Sequence, residues 1–115
     1  MKKEFSLLQL FSIIDGRLST NMGDVYEMLN HICDYNLYTH HLPVAMKYVK
    51  LKQPDWLIDL ALLINDIKVS IGTEEFVPLI EKIKLHNEVY NIPQLKDEFD
   101  TSDFEDYMIN NSLLK

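Results

Sequence analysis

The stretch from Pro54 to Ile67 constrains this chain more than any other. A proline fits the first turn of a helix. Trp56, Leu57, Leu60, Ala61, Leu63, Ile64 and Ile67 then cover most of the helix circumference. A helix that is apolar nearly all round has to be buried. The longest unbroken apolar run is only Leu60 to Ile64. A bilayer span needs ~20 apolar residues, so burial must come from other helices. The segment is predicted to be the central helix of one core. A chain of 115 residues is one domain, and 47% hydrophobic with 25% charged residues is a globular composition.

The rest of the chain supplies short helices to cover it. Ser6 stands three residues before Gln9, a capping-box spacing. Leu7, Leu8, Phe11 and Ile14 follow at helical intervals, and Gly16 is a stop signal, so the spacing predicts a helix over 7–15. Asn21 or Gly23 caps a second helix, with the stripe Val25, Met28, Leu29 and Ile32, running to about Asp34. Pro43 opens a third over about 43–51, with Thr39 as a candidate cap. Val69-Ser70-Ile71-Gly72 interrupts the fourth. Thr73 caps a fifth, with Glu74 and Glu75 in its first turn and Phe76, Ile80 and Ile83 facing inward. Val89 to Ile92 is β-prone and ends at Pro93. Ser102 and Glu105 again have capping-box spacing, for a last helix over about 103–110. Glycines number only 3, and hairpin dipeptides are missing. The expected fold is mainly α: a single compact domain of five to six short helices, with at most one small two-stranded β element. The division read from composition is a helical body over 1–95 and an acidic segment over 96–115.

That division rests on charge. The net charge is -7, and residues 95–115 carry 6 acids against 2 bases. The acids are Asp97, Glu98, Asp100, Asp103, Glu105 and Asp106, with Phe99, Phe104 and Tyr107 among them. Two readings stand. The segment is a solvated helix with its aromatics docked on the core, or it is an acidic-aromatic patch that competes for a basic surface on a partner. Direct binding of nucleic acid needs a basic stripe, which the three lysines Lys47, Lys50 and Lys52 do not make.

Chemistry is sparse. His31, Cys33, His40 and His41 are the densest cluster, but their spacing is not that of a zinc site, and adjacent histidines diverge. Cys33 reads as a small core residue and not as a nucleophile. Phosphate loops, nucleophile elbows and HExxH or CxxC motifs do not occur. The expectation is a protein that is not an enzyme and uses no metal or cofactor. One cysteine allows no internal disulfide, which suits a reducing cytoplasm. The N-terminal Lys2-Lys3 before an apolar stretch mimics a signal peptide, but no small-residue cleavage site follows.

Gly16-Arg17-Leu18-Ser19-Thr20, then Tyr26-Glu27-Met28-Leu29, then Asp34 to Pro43 form an ordered set of motifs. The order resembles a family of small uncharacterised proteins of tailed bacteriophages and prophages, which read GRLLT, YxxLxxxTGD and LFTHQLPR. Val89-Tyr90-Asn91-Ile92-Pro93-Gln94-Leu95 is similar to a later segment of that family. Cys33 stands where the family has glycine, and Val44 where it has a basic residue. The resemblance implies a phage origin and carries no activity. Within it, Arg17, Tyr38, His40 and His41 are either a clamp that fixes a loop, with Arg17 pairing to Asp15, Asp24 or Asp34, or a surface that a partner reads.

Two functions follow as expectations. The first is a phage accessory protein in the bacterial cytoplasm that binds and inhibits a host protein. A nucleic-acid-binding defence component, a CRISPR effector first among them, is the leading partner class. The second is a structural or assembly module for phage replication or morphogenesis, a homo-oligomer joined through the fourth helix.

Overall fold

The computed structural model describes residues 1–86 and 88–112. Asn87 and the last three residues of the acidic segment, 113–115, lie outside the described residues. The fold is mainly helical, with one two-stranded antiparallel sheet. In chain order the elements are β1 (Lys2–Ser6), α1 (Leu7–Asp15), α2 (Met22–Cys33), a 3-10 turn (Thr39–His41), α3 (Leu42–Lys52), α4 (Asp55–Ile71), α5 (Phe76–Ile83), β2 (Val89–Pro93), a second 3-10 turn (Leu95–Asp97) and α6 (Phe104–Ser112).

Local signals set the ends of the first two helices. The Ser6 hydroxyl accepts from the Gln9 backbone N–H at 3.2 Å, and the Gln9 side chain accepts from the Ser6 N–H at 3.1 Å. Two donors at the start of α1 are thereby satisfied reciprocally. Gly16 ends α1 at φ 89, a left-handed conformation that costs other residues more. Asn21 caps α2 by accepting from Asp24 N–H at 2.9 Å.

The centre of the core is α1, not α4. Leu7, Leu10, Phe11 and Ile13 have no exposed surface, and neither does Ser12. β1, α2, α3, α4 and α5 all pack against α1. In α4 only Leu57, Leu60, Ile64 and Ile67 are buried. Trp56, Ala61 and Leu63 are half-buried, while Ile58, Leu62 and Val69 face outward. The expectation of a central fourth helix is therefore corrected: composition made α4 apolar, but cover reaches it from one side.

Other boundaries move for local reasons. α4 continues through Val69, Ser70 and Ile71 to Gly72, which takes φ 73 as its C-cap. Thr39 does not cap α3; it begins the 3-10 turn that leads into it. Thr73 does not cap α5, whose cap position is Glu75; the Thr73 hydroxyl accepts from Glu75 N–H at 3.1 Å, outside the helix. The Ser102 N–H donates to Asp100 Oδ1 at 3.0 Å, and no Ser102–Glu105 capping box forms among the described residues.

β1 pairs with β2 from Lys2↔Pro93 to Ser6↔Val89. Lys2-Lys3-Glu4 has no β pattern, so its pairing is set by what lies beneath. Phe5 and Ile92 on one face of the ribbon are each 1% exposed. His31 fastens that ribbon to α2: its Nε2 lies 2.8 Å from the Ile92 carbonyl oxygen, and its ring packs on Phe5 with centroids 5.5 Å apart. No helix among the described residues is long and apolar enough to cross a membrane.

Candidate functional site

The loop between α2 and α3 is stitched by backbone-directed bonds. Asn30 Oδ1 accepts from Leu37 N–H at 2.9 Å, and His41 Nδ1 accepts from Tyr38 N–H at 3.0 Å. The Tyr26 and Thr39 hydroxyls are hydrogen-bonded to each other. These bonds hold the loop in one shape and leave side chains outward. Tyr38 is 69% exposed, and its ring stacks on His40 with centroids 6.2 Å apart. His40 and His41 lie face to flank at 4.1 Å. His41 titrates below the usual histidine range, first because it is desolvated and then because His40 is beside it.

The acidic segment is tied to the rest of the chain at two of its six carboxylates, Asp97 and Asp103, and a third, Asp100, fixes a turn within it. Asp97 accepts from the Met1 ammonium at 2.9 Å and from Gln94 N–H at 3.1 Å. Asp100 accepts from Ser102 N–H. Asp103 accepts from the Tyr48 hydroxyl at 2.6 Å, with Lys52 Nζ 3.7 Å away. These hydrogen bonds hold all three below the ordinary aspartate range. Tyr48 itself is 1% exposed, and burial first, then Asp103, pushes its hydroxyl strongly upward. Phe104 and Met108 bury into the same core, and Phe104 meets Tyr48 edge-on at 4.9 Å. Glu98, Glu105 and Asp106 are exposed and form no ion pair among the described residues.

Tyr35 joins the two parts. Its ring meets Phe104 edge-on at 5.3 Å, and α6 packs against the Thr39–His41 turn. Open clefts flank it. One, of about 540 Å³, runs between Tyr35, Asn36, Tyr38 and His41. The other, of about 320 Å³, runs between Tyr35, Lys96, Glu105 and Asp106. Asp34 borders both and is held low by Lys96, whose Nζ donates to it at 2.6 Å. One surface therefore carries Tyr35, Tyr38, His40 and His41 beside Glu105 and Asp106.

Arg17 is not on it. Its guanidinium forks onto Asp15, including Nη2 to Oδ1 at 3.0 Å, and lies 4.8 Å from the Phe76 ring centre. Nη2 also reaches the Glu74 carbonyl oxygen at 3.4 Å. Arg17 thus ties the end of α1 to the start of α5, and of its three candidate partners Asp15 is the one it holds. Asp24 is engaged by Thr20 and Asn21 instead.

The other histidine and the thiol do not join the cluster. His31 is spent on the ribbon. Cys33 is packed against the core, and burial pushes its thiol up to about 12, so it is protonated at neutral pH. No three His, Cys, Asp or Glu side chains among the described residues converge to hold a metal ion. Tyr35 was missed in the sequence, because Tyr35-Asn36-Leu37-Tyr38 has no period. Its signal is an exposed aromatic next to Asp34.

Residues 5–61 match the model of a domain of unknown function (DUF7736). That stretch holds α1, α2, the Thr39–His41 turn, α3 and the start of α4. It includes Arg17, Tyr38, His40 and His41, and it stops well before the acidic segment. No curated protein matches the chain, and no solved structure does.

Proposed function

We propose that this chain is a binding protein, not an enzyme. It engages a basic surface of a host protein through the face made by Tyr35, Tyr38, His40, His41, Glu105 and Asp106. The observation that carries this reading is the Tyr35–Phe104 contact, which sets an exposed aromatic turn next to unpaired carboxylates. Aromatics supply contact area at low entropic cost, and carboxylates steer and select a basic partner. Lysine or arginine side chains suit both, by ion pairing and by stacking on tyrosine. The resemblance to phage proteins makes an inhibitor acting in the bacterial cytoplasm the fitting biological role, with a nucleic-acid-binding defence component as the partner class.

The test is a pair of pull-downs from bacterial lysate at low salt, one with the wild-type chain and one with Tyr38→Ala, Glu105→Gln and Asp106→Asn combined. Asp97, Asp100 and Asp103 are left intact because they hold the segment in place. The expected result is a basic partner retained by wild type, identified by mass spectrometry, released as salt rises and absent from the variant. Retrieval of nothing, or equal retrieval by the variant, refutes the reading.

A further inference from the structure

α4 presents a second surface of a different kind. Ile58, Leu62, Asn65 and Val69 recur at i, i+4, i+7 and i+11, so they form one stripe along the helix. Ile58 is 44% exposed, Leu62 61% and Val69 74%. On one side of the stripe lies an open groove of about 490 Å³, walled by Ile14 of α1, Lys50 and Gln53 at the end of α3, and Leu57, Ile58 and Ala61 of α4. On the other side runs a row of carboxylates, Asp55, Asp59 and Asp66. All three are exposed, and none makes an ion pair among the described residues. Lys68, the basic residue near the C-terminal end of α4, sits on the groove side and is 3.7 Å from Glu74.

We propose that this face docks an amphipathic helix of a second protein, one whose apolar stripe is flanked by lysine or arginine. Two observations select that occupant. The stripe and groove give the apolar half of a helix-in-groove site, where anchors spaced along a guest helix drop between α1, α3 and α4. The carboxylate row gives the other half, placed where the flank of such a guest passes. A second copy of this chain fits poorly. In an antiparallel two-fold pairing the same flank of each helix meets, so the Asp55, Asp59 and Asp66 rows would face one another. Each copy also carries a net charge of -7. The face is independent of the acidic-aromatic surface: it belongs to α1, α3 and α4, while that surface belongs to the α2–α3 loop and the start of α6.

The test uses the full chain and a synthetic peptide of ~18 residues, about five helical turns. It carries leucine on one stripe and lysine on both flanks, with a fluorophore for anisotropy. A scrambled peptide of the same composition and a version with glutamate flanks are the controls. The lysine peptide is expected to bind at least about tenfold more tightly than either control. Leu62→Asn with Val69→Asn should weaken it about tenfold, and Asp59→Asn with Asp66→Asn should weaken it several-fold with a shallower salt dependence. Glu105→Gln with Asp106→Asn should leave it unchanged, which separates this face from the other one. Equal binding of the scrambled peptide overturns the proposal, as does undiminished binding by the Leu62 and Val69 variant. A wild-type dimer in sedimentation that this variant turns into a monomer also overturns it, because a second copy is then the occupant.

Discussion

α1 has nine residues and buries five of them completely, a serine included; α4 has seventeen and buries four. By composition the two are alike: six of nine residues are apolar in α1 and eleven of seventeen in α4, where Asp55, Asp59, Asn65, Asp66, Lys68 and Ser70 interrupt the series. The difference lies in what surrounds each helix. α1 follows directly from β1 and meets α2, α3, α4 and α5, so most of its circumference is covered and only Leu8, Gln9, Ile14 and Asp15 stay half-buried. α4 packs on α1 and α5 and turns the opposite side outward. Apolar content states how much surface a helix could bury. Topology decides how much it does bury, and the remainder is available for partners.

The largest expected effect tests that ranking directly. Phe11→Ala should cost ~3–5 kcal/mol, the upper range for an aromatic removed from a rigid core. Leu60→Ala should fall lower, at ~2–3 kcal/mol, because Leu60 stands at the inner edge of a half-exposed helix. Urea unfolding of the two variants measures both. A larger loss from Leu60 than from Phe11 would restore α4 as the centre.

Next comes Ser12, the one polar residue fully inside among the described residues. The Ser12 hydroxyl oxygen lies 2.8 Å from the Ser19 hydroxyl and accepts from Ser19 N–H at 3.0 Å. The Ser19 hydroxyl in turn donates to the Leu8 carbonyl. This small network folds the chain after Gly16 back along α1. Ser12→Ala leaves the Ser19 N–H without a partner, at a cost of ~1–3 kcal/mol. Thermal unfolding reads it, and a neutral result would mean that water replaces the hydroxyl.

How much of this was legible beforehand divides by sequence separation. The Ser6–Gln9 box, Gly16 and Asn21 lie within a few residues of what they cap, so the bounds of α1 and α2 were readable. Asp15 and Arg17 are two apart, and their pairing was among the named options. What was not readable is carried by long closures. β1 finds β2 across most of the chain, Asp97 reaches Met1, and Asp103 reaches Tyr48. A run of carboxylates looks the same in sequence whether its members are spent on the fold or free. Distant partners mark Asp97 and Asp103 as spent, and a local turn onto Ser102 marks Asp100, which separates these three from Glu98, Glu105 and Asp106. Arg17 and Tyr38 belong to the first and third motifs of one ordered set, yet packing sends them to different parts of the molecule.

The acidic segment gives a second contrast with α1, in pH. Asp97, Asp100 and Asp103 all have native values below the ordinary one. A lowered carboxylate contributes stability that is complete above the ordinary value of about 3.9 and is lost as pH falls through the lowered native value. Acidification below pH ~4 should therefore loosen the Leu95–Ser112 region first. The buried residues of α1 carry no charge and should hold. Amide exchange followed by residue reads this order, and simultaneous loss of protection in α1 and α6 would show that the ties do not act locally.

The smallest effect is expected on the outward side of α4, and it is as informative as the largest. Ile58→Ser and Leu62→Asn remove apolar atoms that already face water, so each should change stability by no more than about 0.5 kcal/mol. A helix that kept its apolar surface for folding alone would lose more. If either variant instead melts several degrees lower, that side is packed against something in solution, and the contrast with α1 narrows to one of degree. If both are neutral in stability and impaired in peptide binding, the same leucine and isoleucine that made α4 look like the centre of the core are interface residues. Their apolar character then reflects a partner and not the fold.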